Sequence, residues 1–438
     1  MYRHDPVRSG YTTNELPAQL AIHWQARLGG VLSSVSVAED KLFVASVDTH
    51  TVWALDAQTG AVLWNYTTGG RVDSPPTIYK GMVIFGAADG YVYCLRATDG
   101  ALIWRFLAAP TDLRILSYEQ LESVWPVSGS VLVLNDKVYC VSGRSMFLDG
   151  GLRLLVLDPT NGVKLIEKIM DDKVPGSTTN LAVLSKGFNG VVALADLLCT
   201  DFTGTNLFMK SQRFTLDGDR LNISPVSGSG SQNAAYTNQI GEGVHLFTPT
   251  GFLDDSWVHR TYWVWGRAWS SGAGGYYLAG KNAPCGQILV IDENNVYGYG
   301  RKPQYYQWTR PKENMLFCTS NTNAFNQPNP YIWTNTLPFF VRAMVAAADR
   351  LYIAGPHDLE DEVQSYATLN DNQTQTNLAK QFAAWNGAYG GQLRVVNKHS
   401  GETISMYEVD FLPAWDGMAA AHGCLYVATR DGRVICLK

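Results

Sequence analysis

Between positions 252 and 269 the chain reads FLDDSWVHRTYWVWGRAW, its densest run of chemically versatile side chains. Asp254, Asp255 and His259 fall within six positions, Arg260 follows, and His245 stands ten residues before Asp255. Carboxylates beside a histidine can exchange protons with a substrate or hold a cation. A transition-metal site needs two or three such groups brought together, and this spacing matches no metal-ligand signature. Trp257, Trp263, Trp265 and Trp269 alternate in part with polar residues, which fits a strand with one buried aromatic face. Smaller groups of the same kind recur: Arg71, Asp73 and Ser74; Glu119, Glu122 and Trp125; Arg342; Trp415 and Asp416. The loop GRSMFLDGG at 143–151 adds Arg144 and Asp149. Facing carboxylates support acid/base work, and tryptophans beside carboxylates suit sugar rings, which present an apolar face and a hydroxyl rim. The plainer reading is that Asp and Arg pair with one another and hold neighbouring elements in register.

Deciding between these readings requires the elements that carry the residues. The stretch VWALDAQTGAVLWNYTTGG at 52–70 is a strand, a tight turn at Gly60 and a second strand bearing Trp64. VYCLRATDGALIWRF repeats it forty positions later, so that Leu55, Gly60 and Trp64 correspond to Leu95, Gly100 and Trp104. LLVLDPTNGVKLIEK and LRVVNKHSGETISMYE are looser copies with Gly162 and Gly401 at the turn, and DGRVICLK begins one more. A second signature precedes the hairpin: KLFVAS, GMVIFG, KVYCVS, NLFMKS, NVYGYG, RLYIAG and CLYVAT, seven copies in all. Most follow a turn signal such as Glu39-Asp40 or Asn135-Asp136.

Short strands at a period of forty or more residues predict a ring of blades. The expectation is an all-β, seven-bladed β-propeller of four-stranded antiparallel blades. The approximate blades are 31–70, 71–110, 121–170, 181–250, 256–337, 338–411 and 412–438, the last completed by residues 20–30. Trp24 in that N-terminal strand occupies the place of Trp64 and Trp104. A ring closed by its own first strand leaves no open edge. The alternative is an eighth blade inside 217–337. Long Gly/Ser/Asn-rich loops at 228–243 and 270–286, and an insertion from His357 to Gly391 whose second half reads as a short helix capped near Asn377, lie on the faces of the disc.

The hairpin, with Leu, Asp, then Thr-Gly or Asp-Gly, then Trp, resembles the pyrroloquinoline-quinone-like propeller repeat. In that family the fourth-strand tryptophan packs onto the neighbouring blade, a role that the resemblance gives to Trp24, Trp64 and Trp104; Ile166 and Ser405 depart from it. RVDSPPTIY, QLESVWPV, FLDDSWVHRTYW and VYGYGRKPQYY also resemble repeat proteins in large exported proteins of planctomycete-like bacteria. Quinoprotein alcohol dehydrogenases with this repeat are longer and eight-bladed. They hold the quinone over a tryptophan floor, under a disulfide between adjacent cysteines, beside calcium or a lanthanide. This chain has no adjacent cysteines and is short for eight full blades plus cofactor loops, so no quinone, calcium or other cofactor is expected. The repeat also serves as a non-catalytic scaffold, as in the propeller lipoprotein of bacterial outer-membrane assembly.

Composition narrows the rest. The 438 residues are 46% hydrophobic and 17% charged with a net charge of -5, and no basic stripe suits nucleic acid. No apolar run approaches a membrane span. The polar start MYRHDPVRSG has no apolar signal core, and the sequence there looks internal to a longer exported protein, the alternative being a cytoplasmic start. Seven cysteines without a CxxC argue against a zinc ribbon, a dithiol site and attached haem; Cys94 and Cys436 exchange with Ala54 in the repeat and read as small buried residues.

In a propeller the starts of the innermost strands converge at the mouth of the central channel. The candidate ligand-binding residues there are Arg71, Asp73, Glu122, Trp125, Asp254, Trp257, His259, Arg342, Trp415 and Asp416. The favoured expectation is a non-catalytic binding or scaffold module, periplasmic or extracellular, whose partner is another protein domain or a polysaccharide. The rival is an enzyme with its site at the channel mouth, either a carbohydrate-active lyase or hydrolase or a divergent quinoprotein dehydrogenase. Carboxylates facing each other across the mouth favour the enzyme; carboxylates neutralised by arginines favour the scaffold.

Overall fold

The repeated turn explains itself in the structure, a computed structural model that describes residues 1–180, 194–221, 243–257, 261–267, 275–306, 313–322 and 330–438. Asp56 Oδ1 accepts hydrogen bonds from the backbone of Gln58 and Thr59, at 3.0 and 2.8 Å, and from the Thr59 hydroxyl at 2.9 Å. Gly60 then turns the chain with φ of 73°, a conformation that costs a residue with a Cβ about 1–2 kcal/mol. Asp158 with Thr160, and Asn397 with His399 and Ser400, build the same turn. The strands on either side are apolar, and in six blades the pairing of the third and fourth strands slips by one residue. Such a bulge re-aims the fourth-strand side chain.

Among the described residues nine sheets form; one is a two-stranded hairpin and the other eight are blades. Blade 1 holds Leu32–Ala38, Lys41–Ser46, Thr51–Asp56 and Val62–Thr67. Blade 2 holds Thr77–Tyr79, Met82–Gly86, Tyr91–Arg96 and Leu102–Leu107. Blade 3 runs from Leu132–Leu134 to Lys164–Met170, and blade 4 from Cys199–Thr200 to Arg220–Leu221. Blade 5 is His245–Phe247, Trp263–Gly266 and Cys285–Gly286. Blade 6 spans Ile288–Ile291 to Tyr331–Asn335, and blade 7 Ala343–Ala347 to Thr403–Val409. Blade 8 takes Pro413–Ala421, Cys424–Thr429 and Arg433–Leu437 from the C-terminus and Ile22–Arg27 from the N-terminus, Trp24 facing Cys436. The apolar core is divided among the spaces between neighbouring blades.

The ring is therefore an all-β propeller of antiparallel blades, but it has eight of them, not seven. The missing copy of the second-strand signature is Trp263–Gly266, inside the aromatic run read above as a strand. Its blade escaped notice because its strands have only three, four and two residues, too few for a period to show, and the helix α1 (Gly275–Asn282) interrupts it. Abbreviated blades also remove the argument that the chain is too short for eight. The helix expected near Asn377 begins earlier: α3 (Asn372–Trp385) is capped by Asp371, whose carboxylate accepts from the backbone of Gln373 and Thr374, and α2 (Glu362–Ala367) precedes it.

Residues 1–12 line the ring's interior. Tyr11 and Thr12 pair in parallel with Ala346 and Ala347 on the inner strand of blade 7. Thr200 of blade 4 donates to the Pro6 carbonyl, Ile291 of blade 6 to Ser9 and Ala346 of blade 7 to Gly10. Tyr2, Val7 and Arg8 are buried. All seven cysteines are free and buried, and burial pushes the Cys94 and Cys140 thiols up to about 12, which leaves them unreactive at neutral pH.

One buried group links the fold to pH. His245 stacks on Phe208 at 3.7 Å, and its Nε2 lies 3.1 Å from the Lys210 carbonyl between blades 4 and 5. Burial lowers its pKa from 6.5 to about 4. The unfolded chain thus binds a proton that the folded chain refuses. The stability that this withholds is complete above pH 6.5 and lost as pH falls through 4, about 3 kcal/mol in all. Urea titrations between those limits should slope with pH in the natural protein, and less steeply in His245→Gln. An unchanged slope would place the titrating group elsewhere.

Candidate functional site

Nine of the ten candidate residues lie among the described residues, and they fall into two groups rather than one convergent mouth. The first is organised by the hairpin Arg114–Ser117/Gln120–Ser123, which stands between blades 2 and 3 and turns through Tyr118 and Glu119 at φ of 50° and 61°. Glu122 on its second strand is wholly buried. Its Oε1 accepts from Arg71 Nε at 2.7 Å and its Oε2 from Arg144 Nη2 at 2.6 Å. Arg144 also donates to Ser117 Oγ and to the Ser123 carbonyl. Arg71 lies over the Tyr118 ring at 4.8 Å and sends Nη1 to within 3.7 Å of Asp73. Burial raises the Asp73 carboxyl above its ordinary range, with Arg71 opposing. His50 Nε2 is 2.8 Å from Gln120 Oε1. Trp125 is buried and donates to the Asp149 carbonyl at 2.9 Å. Glu119 sits at the exposed tip, apart from the ion pairs.

The second group lies where blades 5, 7 and 8 meet. Arg342 is buried, donates to Asp255 Oδ2 at 2.9 Å, and offers its carbonyl to the Asp416 N–H at 2.9 Å. Asp416 Oδ1 accepts from Arg3 Nη1 at 2.6 Å, deep inside the ring. Burial pushes the Asp416 carboxyl up and Arg3 pulls it back. The Arg3 guanidinium lies 4.5 Å from the Trp263 ring centre, and Trp415 stands edge-on to the same ring while donating to the Phe252 carbonyl. Asp254 accepts from the Ser256 N–H and shapes a local turn. Trp257 packs edge-on to Phe340 at 5.3 Å and to Trp385 at 4.8 Å. His259 and Arg260 lie outside the described residues, as does Trp269.

Three of the candidate carboxylates, the buried Glu122 and Asp416 and the exposed Asp255, thus meet a guanidinium. Glu122 has two, and Asp416 and Asp255 have one each. Such pairs fix neighbouring segments and hold these three carboxylates against a cation. Among the described residues no three His, Cys, Asp or Glu gather as a metal ion would require. A cavity of about 230 Å³ lies between the N-terminal segment and the inner strands of blades 1, 7 and 8, touching Arg3, His4 and Asp416. Sequence reading missed Arg3, whose polar surroundings suggest a solvated tail, and Trp385, which sits on the inserted helix. It also missed Trp333, which repeats the role of the three repeat tryptophans on blade 6. The signal for Trp333 was its place in the middle of the strand Tyr331–Asn335, obscured by a long connection before it.

The comparisons with known proteins agree with this architecture. Residues 17–185 match the family described as outer membrane protein assembly factor BamB. The protein of that name from Moranella endobia is 25% identical over 191 residues, 44% of this chain and 45% of that one. The one from Shewanella oneidensis is 29% identical over 72 residues, 16% and 18% of the two chains. The matched stretches therefore span less than half of these curated relatives. Among solved structures, BamB from Moraxella catarrhalis superposes with a TM-score of 0.51 at 12% identity, over 96% of this chain and all of that one (100%). Quinohemoprotein alcohol dehydrogenase from Comamonas testosteroni gives 0.58 at 12% identity over 99% and 79%. A europium-containing methanol dehydrogenase gives 0.57 at 10% identity over 100% and 97%. At such identities the structural likeness establishes the fold alone. With its hairpin repeat, its interblade tryptophans and this ring, the chain is a β-propeller repeat protein of the pyrroloquinoline-quinone-like type.

Proposed function

We propose that this chain is a non-catalytic propeller scaffold that binds another protein chain outside the cytoplasm. The observation that carries the reading is the apolar outer surface of the hairpin at 114–123. Leu116 and Leu121 stand directly opposite each other and are 77% and 56% exposed, and Tyr118 at the tip is 77% exposed. Leu113 beside it, and Phe147 and Leu148 from the loop that carries Arg144, are also more than half exposed. Clustered exposed apolar side chains on a docked, ordered element mark a surface made to be covered. The hairpin has only two strands, and Arg114–Ser117 pairs with Gln120–Ser123 on one side, which leaves its other edge for an added segment. Arginine pairing of Glu122 and Asp416, the buried carboxylates among the candidates, favours this reading over a glycoside hydrolase, which needs two carboxyl groups free to act on one bond. The relatives named for outer-membrane protein assembly support a partner that is itself a protein and a place in the cell envelope, periplasmic or extracellular.

A photo-crosslinking residue at Leu116 should give one discrete adduct in cells of the source organism. The adduct should vanish with Leu121→Asp and not form from Leu63, an equally apolar exposed position on the outer strand of blade 1. Equal labelling at both positions, or none at Leu116, would remove the hairpin as the docking surface. Stoichiometric uptake of pyrroloquinoline quinone with calcium, read by native mass spectrometry, would overturn the non-catalytic part.

A further inference from the structure

We propose that a groove between the blade 5 loop and α3 binds a pyranose unit of a neutral glycan. The groove has a volume of about 430 Å³, within the size range of small-ligand sites. Phe382, Trp385 and Asn386 stand at i, i+3 and i+4 of α3 and its cap, so one face of the helix forms a wall. Trp257 and Phe340 meet Trp385 to form the floor. Phe382 is 71% exposed at the rim, a large cost for a phenylalanine with nothing to cover it.

Polar groups of both kinds ring these aromatics. Asp255 gives Oδ2 to Arg342, which leaves Oδ1 for a hydroxyl. Asn386 donates Nδ2 to the Phe382 carbonyl, which frees its Oδ1 as an acceptor. Arg430 is held at the edge by a 2.6 Å bond from Nη1 to the Trp385 carbonyl, and its remaining N–H groups are donors. A sugar hydroxyl both donates and accepts, so such a rim matches it, while the C–H face of the ring lies on the indole and phenyl faces. Charge selects the class of glycan. Asp255 and Glu362 are balanced by Arg342 and Arg430, so the groove offers no net attraction to a uronate or a phosphate. This site is separate from the protein-docking hairpin and would stand if the hairpin bound nothing.

Native electrophoresis through gels containing laminarin, hydroxyethylcellulose or alginate tests the assignment. The protein should be retarded by a neutral polymer and not by alginate. Phe382→Ala should weaken that retardation roughly tenfold, the equivalent of about 1.4 kcal/mol, and Trp385→Ala at least as much. Because Phe382 is so exposed, its substitution should leave the thermal midpoint unchanged, which separates lost binding from lost folding. Retardation that survives Phe382→Ala, retardation by alginate alone, or none with either neutral polymer would overturn the proposal.

Discussion

Replacing Gly100 by alanine lowers the stability of the ring by roughly 3 kcal/mol, the sum of a left-handed backbone penalty and an overpacked contact. Gly100 turns at φ of 73°, and a Cβ built on it would lie 2.7 Å from the Trp64 ring of the preceding blade. The same indole donates Nε1 to the Ala97 carbonyl at 3.0 Å. The turn glycine and the fourth-strand tryptophan are thus two halves of one clasp. Blades 8, 1, 2 and 6 each close it on the next blade: Trp24 on Ala57 and Gly60, Trp64 on Ala97 and Gly100, Trp104 on Pro159 and Gly162, Trp333 on Lys398 and Gly401. Trp64→Ala should cost about 3–5 kcal/mol, since it empties a buried site and strands a carbonyl. The pair should not add. With Trp64 gone, Gly100→Ala loses its clash and should cost only the backbone penalty of about 1–2 kcal/mol. Urea midpoints of the two single variants and the double variant measure this. Strict additivity would mean that the clasp does not hold the blades together.

What was legible in the sequence follows from how local each cause is. The Asp–Thr–Gly turn is made within five residues, so its copies declare themselves, and with them the strands and the tryptophans that the turn positions. Blade 5 has strands too short for a period, and blade 6 has long connections on either side of Asn314–Ser320, so Trp333 stands outside any hairpin motif. The count of seven failed there and nowhere else. The candidate residues were found because strand starts are polar, but their partners were hidden. Arg71 meets Glu122 across 51 positions, and Arg3 meets Asp416 across 413. No local pattern encodes a pairing of that range. Nor does a polar N-terminus announce that it lies inside a ring, because Arg3 and Arg8 are held there by the Asp416 carboxylate and the Leu198 carbonyl, which only the closed fold supplies.

Glu122→Gln should release the hairpin while leaving the blades assembled. Glu122 is buried between Arg71 and Arg144, and removing its charge leaves Arg144 without its carboxylate and Arg71 with only Asp73 at 3.7 Å. Breaking such a pair costs about 3 kcal/mol, against which the hairpin has few other holds. These include Gln120 with His50, Tyr118 under Arg71, the Arg144 bonds to Ser117 and Ser123, and the backbone bond from Ser123 to Ala88. The cost should therefore appear as local opening rather than global unfolding. Trypsin cleavage after Arg114 should accelerate roughly a hundredfold, the population change that such an energy implies, with little movement of the thermal midpoint. Arg71→Met should do less, because Arg144 still holds Glu122. Crosslinking from Leu116 should fall in step with the cleavage, since a partner that reads the paired leucines needs them on a fixed strand pair. Cleavage at the natural rate would show that apolar packing, not the buried ion pairs, docks the hairpin. Faster cleavage with crosslinking undiminished would mean instead that the partner orders the hairpin itself, and that the arginines on either side of Glu122 serve only the free protein.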